Sequence, residues 1–300
     1  MAKNNAKAGT GRPAAVIQLD RHRREYAGEW EVSSANLDDQ GCYAWMAGEL
    51  AVSGRVLEIG CGTGLSTLAL LRAGNRVVSV DENPACIKKA SARLEAAGFS
   101  VSVQLRGEEK VVAGARIEID YARVKEVDAD AILIEGNVLH DPKLMAFLAD
   151  SEAFDAVVCW LVGTHSSMRI NKCIRPRVTT PKLYRLQVQN LVYEMADRVL
   201  KPGGTLQVVD RGEPASSPEL VADFLDAHRD QASVTSLMPI GLTQRSYVEA
   251  EHDAATRMVL IPGITGRVPD LSGGLALISV RSVKPAVTPV GDAGEPARSV

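Results

Sequence analysis

Acidic residues are missing from one long stretch of this chain. Between Ala156 and Tyr193 there is no Asp or Glu, while Arg169, Lys172, Arg175, Arg177, Lys182 and Arg185 all fall within it. Cysteine is also sparse: five residues, at 42, 61, 86, 159 and 173, an odd number with no C-x-x-C pair. That argues against a disulfide framework or a thiolate zinc site and for a reducing compartment, so a cytoplasmic location is expected. No apolar run reaches membrane-spanning length, and the first residues lack the apolar core of a signal peptide. The net charge of −3 excludes a molecule that is basic throughout and holds nucleic acid by charge alone. Aromatic residues make up 4% of the chain, and only Tyr184 and Tyr193 interleave the basic stretch. Stacking of exposed bases there is poorly supported.

What is present is an ordinary globular composition over 300 residues, 46% hydrophobic and 24% charged. A chain this long can bury about three quarters of its unfolded surface. Residues 1–14 read as a flexible leader and 284–300 as a flexible tail, with a single domain over 15–283. Arg21, Arg23 and Arg24 read as a solvated helix face, and Leu37 to Leu50 as an amphipathic helix. From Arg55 onward, strand and helix signals alternate, which predicts an α/β fold with a parallel, doubly wound sheet. Strands are expected at 55–60, 76–80, 131–135, 154–160 and 205–210, and helices at 64–73, 84–97, 141–149 and 183–200. Pro84 suits the first position of its helix. Residues 100–125 show two alternating runs, Val101-Val103-Leu105 and Ile117-Ile119-Tyr121, around Ala113-Gly114, which predicts an inserted β-hairpin. Pro218 to His228 reads as a helix, and Thr256–Ile261 with Leu275–Val283 as a closing antiparallel pair.

The chemistry concentrates in Val56-Leu-Glu-Ile-Gly-Cys-Gly-Thr-Gly64 and in Asp81, which ends Val77-Val-Ser-Val-Asp81. An apolar strand enters a glycine loop, a helix-like run follows, and the next strand ends in a carboxylate. Glycines let backbone approach a ligand closely. An acid at the second strand end is a receiver for ribose hydroxyls. Dinucleotide sites read G-x-G-x-x-G, but here the glycines fall at 60, 62 and 64, and Leu65 stands where a third dinucleotide glycine belongs.

These two motifs, with Gly136-Asn-Val-Leu139, Phe154-Asp-Ala-Val-Val158 and Val199-Leu-Lys-Pro-Gly-Gly-Thr-Leu206, resemble those of class I S-adenosylmethionine-dependent methyltransferases. The resemblance covers a cofactor core over 50–210. It implies a Rossmann-like, mostly parallel sheet of seven strands with the last pair antiparallel, and S-adenosylmethionine as cofactor. A helix at 37–50 would then cover the cofactor mouth. Glu58 would receive the methionine amino group, or else hold loop N–H groups. Gly60, Cys61, Gly62 and Gly64 would form the loop, Asp81 would accept both ribose hydroxyls, and Glu82, Asn137 and Val138 would sit at the adenine. Trp160 would wall the cofactor, or simply pack.

Beyond the fourth strand, Cys159-Trp-Leu-Val-Gly163 replaces the Asp/Asn-Pro-Pro-Tyr of the family's base-amine methylating members, and no Pro-Cys dipeptide suits cytosine carbon. His165 stands where an imidazole could take a proton from the acceptor. Cys159 reads as an inert buried thiol. The anion-free stretch implies an anionic acceptor, a small molecule ahead of RNA, met by Arg169 and Lys172; a solvated loop explains the same charges. No metal is expected. A silent cofactor-binding module, a nicotinamide oxidoreductase and an aminopropyl transferase are the competing readings; Leu65 counts against the second, and the cations count against the third.

Overall fold

The computed structural model describes residues 12–50, 53–113, 116–174, 178–256 and 268–286. It opens with a long helix, α1 (Ala14–Asp39, 26 residues). Seven of its eight buried side chains, Val16, Leu19, Arg23, Ala27, Trp30, Ser34 and Leu37, recur every three or four positions and form one stripe, with Ser33 beside it. Residues 14 onward are thus helical rather than leader, and residues 1–11 lie outside the described residues. Gly41, at φ +70°, ends this run, and α2 (Cys42–Leu50) starts anew. The single helix expected over 37–50 is therefore two. Of the three arginines, Arg21 and Arg24 are exposed, but Arg23 is buried.

The sheet follows: β1 (Arg55–Ile59), α3 (Leu65–Arg72), β2 (Arg76–Asp81), α4 (Pro84–Ala96), β3 (Val101–Gln104), β4 (Gly107–Val112), β5 (Arg116–Tyr121), β6 (Ala131–Glu135), α5 (Pro142–Asp150), β7 (Phe154–Trp160), α6 (Pro181–Val199), β8 (Leu200–Gly212), α7 (Pro218–Ala232), β9 (Met238–Tyr247) and β10 (Leu275–Val283). Eight strands hydrogen-bond in the order β3-β6-β2-β1-β7-β8-β10-β9. The first six run parallel, and β10 runs antiparallel to both β8 and β9. The fold is the doubly wound α/β class with an antiparallel end.

Two strands differ from expectation. Val101–Gln104 pairs with β6 and extends the sheet edge, giving the eighth strand, so the separate hairpin is β4 with β5. Alternation alone does not tell a sheet edge from a hairpin arm. The antiparallel partner of β10 is β9, and residues 257–261 of the strand expected there lie outside the described residues.

Alternate residues of β1 face opposite layers: Leu57 and Ile59 join α5 and α6, while Val56 joins α2, α3 and α4. On α6, Val188, Val192, Met195 and Val199 are buried against β7 and β8. Each such side chain stabilises by about 1.5–3 kcal/mol relative to exposure. Four helices start on a capping side chain followed by proline: Asn83, Asp141, Thr180 and Ser217 each accept an N–H from two or three residues on.

The hairpin is welded to the β6 end by a buried network. Arg106 donates to the Asp141 carboxylate at 2.9 Å and to the Glu135 carbonyl at 2.9 Å. Glu135 in turn accepts the N–H groups of Arg106 and Gly107 at 2.7 and 2.9 Å. The Arg106 and Asp141 side chains are 3% and 0% exposed, so neither charge has water to fall back on. Replacing Arg106 with Met strands a buried carboxylate and is expected to cost about 3–5 kcal/mol in urea unfolding. Breaking the exposed Lys172–Glu118 pair (3.3 Å) with Lys172→Ala is expected to change stability by less than about 1 kcal/mol.

Candidate active site

In a parallel sheet, ligands bind beyond the carboxyl ends of the strands, where chain connections diverge to the two faces. Here that place lies above β1 and β7, and a cleft opens there. It is lined by Gly60 and Gly62 of the loop, Asp81 and Glu82 at the end of β2, Gly136, Asn137 and Val138 after β6, and Trp160 to His165 after β7. Tyr26 and Trp30 of α1 and Tyr184 of α6 complete the wall. The two α1 rings narrow the cleft to about 60 Å³. It is therefore α1, not the segment 37–50, that covers the mouth; α2 packs on the sheet, where Gln207 donates to the Met46 carbonyl.

The loop's geometry explains its glycines. Gly62 sits at φ +49°, and a Cβ there would collide with the indole Nε1 of Trp30. Gly64 begins α3 at φ +90°, where a Cβ would lie 2.7 Å from the Ala90 Cα. Gly64 thus permits α3 to pack on α4 rather than facing a ligand. α1 clasps the same loop: Ser34 and Thr63 share a hydroxyl hydrogen bond of 3.0 Å, and Glu31 pairs with Arg93, which also donates to the Thr63 carbonyl.

Asp81 is half-buried as a residue, but its carboxyl is turned inward. One oxygen accepts the Gly62 N–H at 2.9 Å, the other the Asn83 N–H at 2.8 Å. Desolvation outweighs those two donors and raises its pKa to about 7. Glu82 is turned elsewhere. Its Oε2 accepts from the Asn137 amide at 2.6 Å, its Oε1 accepts from the Thr164 hydroxyl at 3.1 Å, and its carbonyl accepts from Arg23.

Several expected site residues stand away from the cleft. Glu58 is buried beneath the loop, where Thr67 and Ser79 both donate to one of its oxygens at 2.6 and 2.8 Å and so tie α3 to β2, while its other oxygen is buried with no hydrogen-bond partner among the described residues. Cys61 is buried with its thiol turned back toward Gly62 and Asp81, and burial holds that thiol well above its ordinary pKa. Asn137 lines the cleft, yet its Oδ1 already accepts the Leu139 N–H at 2.9 Å; the acceptor oxygen expected at an adenine closes a turn instead. Val138 and Trp160 do line the cleft, the indole N–H of Trp160 donating to Gln207 at 3.1 Å. Cys159 is buried, and burial pushes its thiol up.

A second cavity of about 740 Å³ adjoins the cleft and shares with it Tyr26, Trp30 and the residues from Leu161 to His165. Lys182, Arg185 and Arg211 line it, as do Glu25, Glu29, Asp210 and Asp253. Arg185 stands 3.9 Å from Asp210 and Arg211 3.5 Å from Glu249. Arg169 and Lys172 line neither space. Arg169 is exposed on a 3-10 turn (Ser166–Ile170), and Lys172 reaches back to the hairpin, where it pairs with Glu118. Arg175 and Arg177 lie outside the described residues. The contributions missed from sequence are those of α1, and the signal was its three-four stripe, interrupted to the eye by a charged Arg23.

His165 forms part of the wall between the two spaces and is 5% exposed. Burial lowers its pKa, so the ring is neutral near pH 7. Among the described residues there is no cluster of three or more side chains able to hold a metal ion, and no helix long and apolar enough to cross a membrane.

A doubly wound sheet with a glycine loop, a strand-end acid and a cleft at the switch point defines a nucleoside-binding α/β domain. Residues 56–140 match a family model described as a methyltransferase domain. A curated relative, the cypemycin N-terminal methyltransferase of a Streptomyces species, is 49% identical over 51 residues. That match spans 17% of this chain and only 21% of the relative's length. Among solved structures, the N-methyltransferase NodS of Bradyrhizobium japonicum WM9, in complex with S-adenosyl-L-homocysteine, is 12% identical. The overlap covers 89% of this chain and 97% of that one at a TM-score of 0.45. The [4+2]-cyclase SpnF is likewise 12% identical, covering 81% and 80% at 0.44. Likeness at that level does not bear on substrate or reaction.

The Asp81 shift has a measurable sign. Its folded pKa of about 7 stands above the ordinary 3.8, so the folded chain holds the extra proton. Stability from this group is complete below pH 3.8 and lost as pH rises to about 7. Asp81→Asn is expected to gain stability over wild type at pH 8 but not at pH 4, read by urea unfolding at both.

Proposed function

We propose that this chain transfers the methyl group of S-adenosylmethionine to a small acceptor bound in the larger cavity. The observation that carries this reading is the adjacency of two spaces sharing one wall: a nucleoside cleft ending at Asp81, and a polar cavity bordered by His165. The residues suit the cofactor. Gly60 and Gly62 present bare backbone, the Asp81 carboxylate is placed for ribose hydroxyls, and Val138 and Trp160 supply apolar walls. The bound cofactor supplies a sulfonium-activated methyl group. Entry of a nucleoside requires the Tyr26 and Trp30 rings to draw back from the loop. The protein's share of the rate is then positioning, which can supply several kcal/mol of the barrier.

The acceptor, in this reading, carries an anionic group. Lys182 and Arg185 fall in the first two turns of α6, where the helix dipole is already positive. The cavity also holds four carboxylates, so the acceptor is polar at both ends rather than a polyanion. His165 acts as general base. The name of the Streptomyces relative, an N-terminal methyltransferase, agrees with a nitrogen acceptor.

Calorimetry with S-adenosylmethionine tests the cofactor half: micromolar binding to wild type is expected, weakened about 100-fold by Asp81→Ala, because charge-assisted hydrogen bonds contribute about 1.5–3 kcal/mol each. Labelled S-adenosylmethionine with fractionated cell extract tests the rest. Label should pass to a small-molecule fraction, and His165→Asn should slow it by about 100-fold or more while sparing cofactor affinity. Tight binding with no S-adenosylhomocysteine released would identify a silent module instead.

A further inference from the structure

We infer that Glu82 and His165 work as a carboxylate–imidazole pair, with Glu82 the positioning residue that sets which imidazole nitrogen takes the acceptor's proton. This rests on the reading of His165 as the base. It goes further, because it moves Glu82 from the adenine end of the cleft to the chemistry and says what kind of acceptor the site takes.

The geometry is specific. His165 Nε2 lies 3.9 Å from Glu82 Oε1, and the side chains are 4% and 13% exposed. His165 Nδ1 is buried in the ligand-free chain and meets no hydrogen-bond partner among the described residues. A carboxylate facing Nε2 favours the tautomer that carries its hydrogen there, and this leaves the Nδ1 lone pair available. Glu82 is itself held from two sides, by the Asn137 amide after β6 and by the Thr164 hydroxyl next to His165 in the chain. A carboxylate fixed so firmly cannot swing away to follow a ligand.

The charged and titratable groups around His165 come from several elements. From α1 come His22, which shares a 2.5 Å hydrogen bond with Ser167, and Arg23, which donates to Glu109 of the hairpin at 2.8 Å. Just after β2 comes Glu82, and from α6 come Tyr184, which shares the cleft wall, and Lys182 and Arg185 in the adjoining cavity. Burial, Arg23 and His22 all disfavour imidazolium; Glu82 favours it. Without Glu82, proton capture would place a bare cation in a buried site already facing a guanidinium.

The step balances as follows. The acceptor's lone pair forms the new bond to the methyl carbon, and the C–S electron pair stays on sulfur, which becomes a neutral thioether. The proton leaving the acceptor passes to His165 Nδ1 and then to solvent. A base of this kind is useful only where the nucleophile carries a proton, so the acceptor class is an N–H or O–H compound. A thioether, a tertiary amine or an ionised carboxylate needs no such base.

The test uses the ligand-free 300-residue chain. Imidazole NMR titration, with His165 assigned from the His165→Asn variant, gives its midpoint and tautomer. Wild type should show the Nε2–H tautomer and a midpoint below 6.5. Glu82→Gln should lower that midpoint by about one pH unit, the scale of a lost neighbouring charge. An unchanged midpoint, or an Nδ1–H tautomer in wild type, overturns the inference. Should Glu82→Gln not fold, Glu82→Asp, which keeps the charge but withdraws it, should give a smaller fall, and no fall overturns the pairing. S-adenosylmethionine calorimetry on the same samples separates failures. Loss of binding in wild type defeats the methyltransferase reading, whereas a static His165 midpoint with binding intact defeats only the pair.

Discussion

Two adjacent carboxylates at the end of β2, Asp81 and Glu82, govern the rest of the site. Successive side chains along an extended chain point in opposite directions. Asp81 therefore reaches under the glycine loop to the Gly62 N–H, and Glu82 reaches across to Asn137, Thr164 and His165. Both are kept from water, and two like charges so close would be intolerable without partners. The fold answers with backbone N–H groups for one and side-chain donors for the other. One strand end thus holds the loop on one side and the wall of the larger cavity on the other, and a shift of β2 would disturb both.

The helix laid over this strand end follows from the same need. Arg23 is buried in the stripe of α1, where an aliphatic residue would ordinarily stand. Its guanidinium meets Glu109 and the Glu82 carbonyl, and its own carbonyl accepts from Asn83. Burying a charge is tolerable only when it is paired and hydrogen-bonded. That arginine therefore does more for geometry than for stability. It fixes where α1 lies, and so where Tyr26 and Trp30 stand over the glycines.

Much of this was legible in the residues, and the reason differs from element to element. The five parallel strands from β1 to β8 other than β3 are short apolar runs with turn residues at their ends, which local pattern reports well. The glycine loop and Asp81 were legible because their spacing is dictated by backbone geometry. α1 was not, because its stripe contains Arg23 and Ser34, whose side chains meet Glu109 and Thr63, 86 and 29 positions away. β3 was not, because whether Val101–Gln104 pairs with β6 or folds back depends on sheet order. The surroundings of Glu58 were hidden for the same reason: nothing local says that Thr67 and Ser79 meet at one of its two oxygens. The Asn83-Pro, Asp141-Pro, Thr180-Pro and Ser217-Pro pairs are a clear helix-start signal, and of the four helices only the one expected from 183 begins earlier, at Pro181.

The basic stretch shows most plainly how a fold apportions what a sequence only counts. Six cations without an anion suggest one positive field, but the chain bends through them. Lys172 follows the 3-10 turn back to the hairpin and meets Glu118, whereas Lys182 and Arg185 sit at the start of α6 and face the cavity. Cations in the first turns of a helix oppose its dipole, at a cost of about 0.3–1 kcal/mol each. Asp210, brought up by β8, offsets part of that cost for Arg185. The two cations are therefore placed against local preference, and Arg185 is held by a residue from another strand. The α1 residues Glu25 and Glu29 line the same cavity, with His165 in its wall.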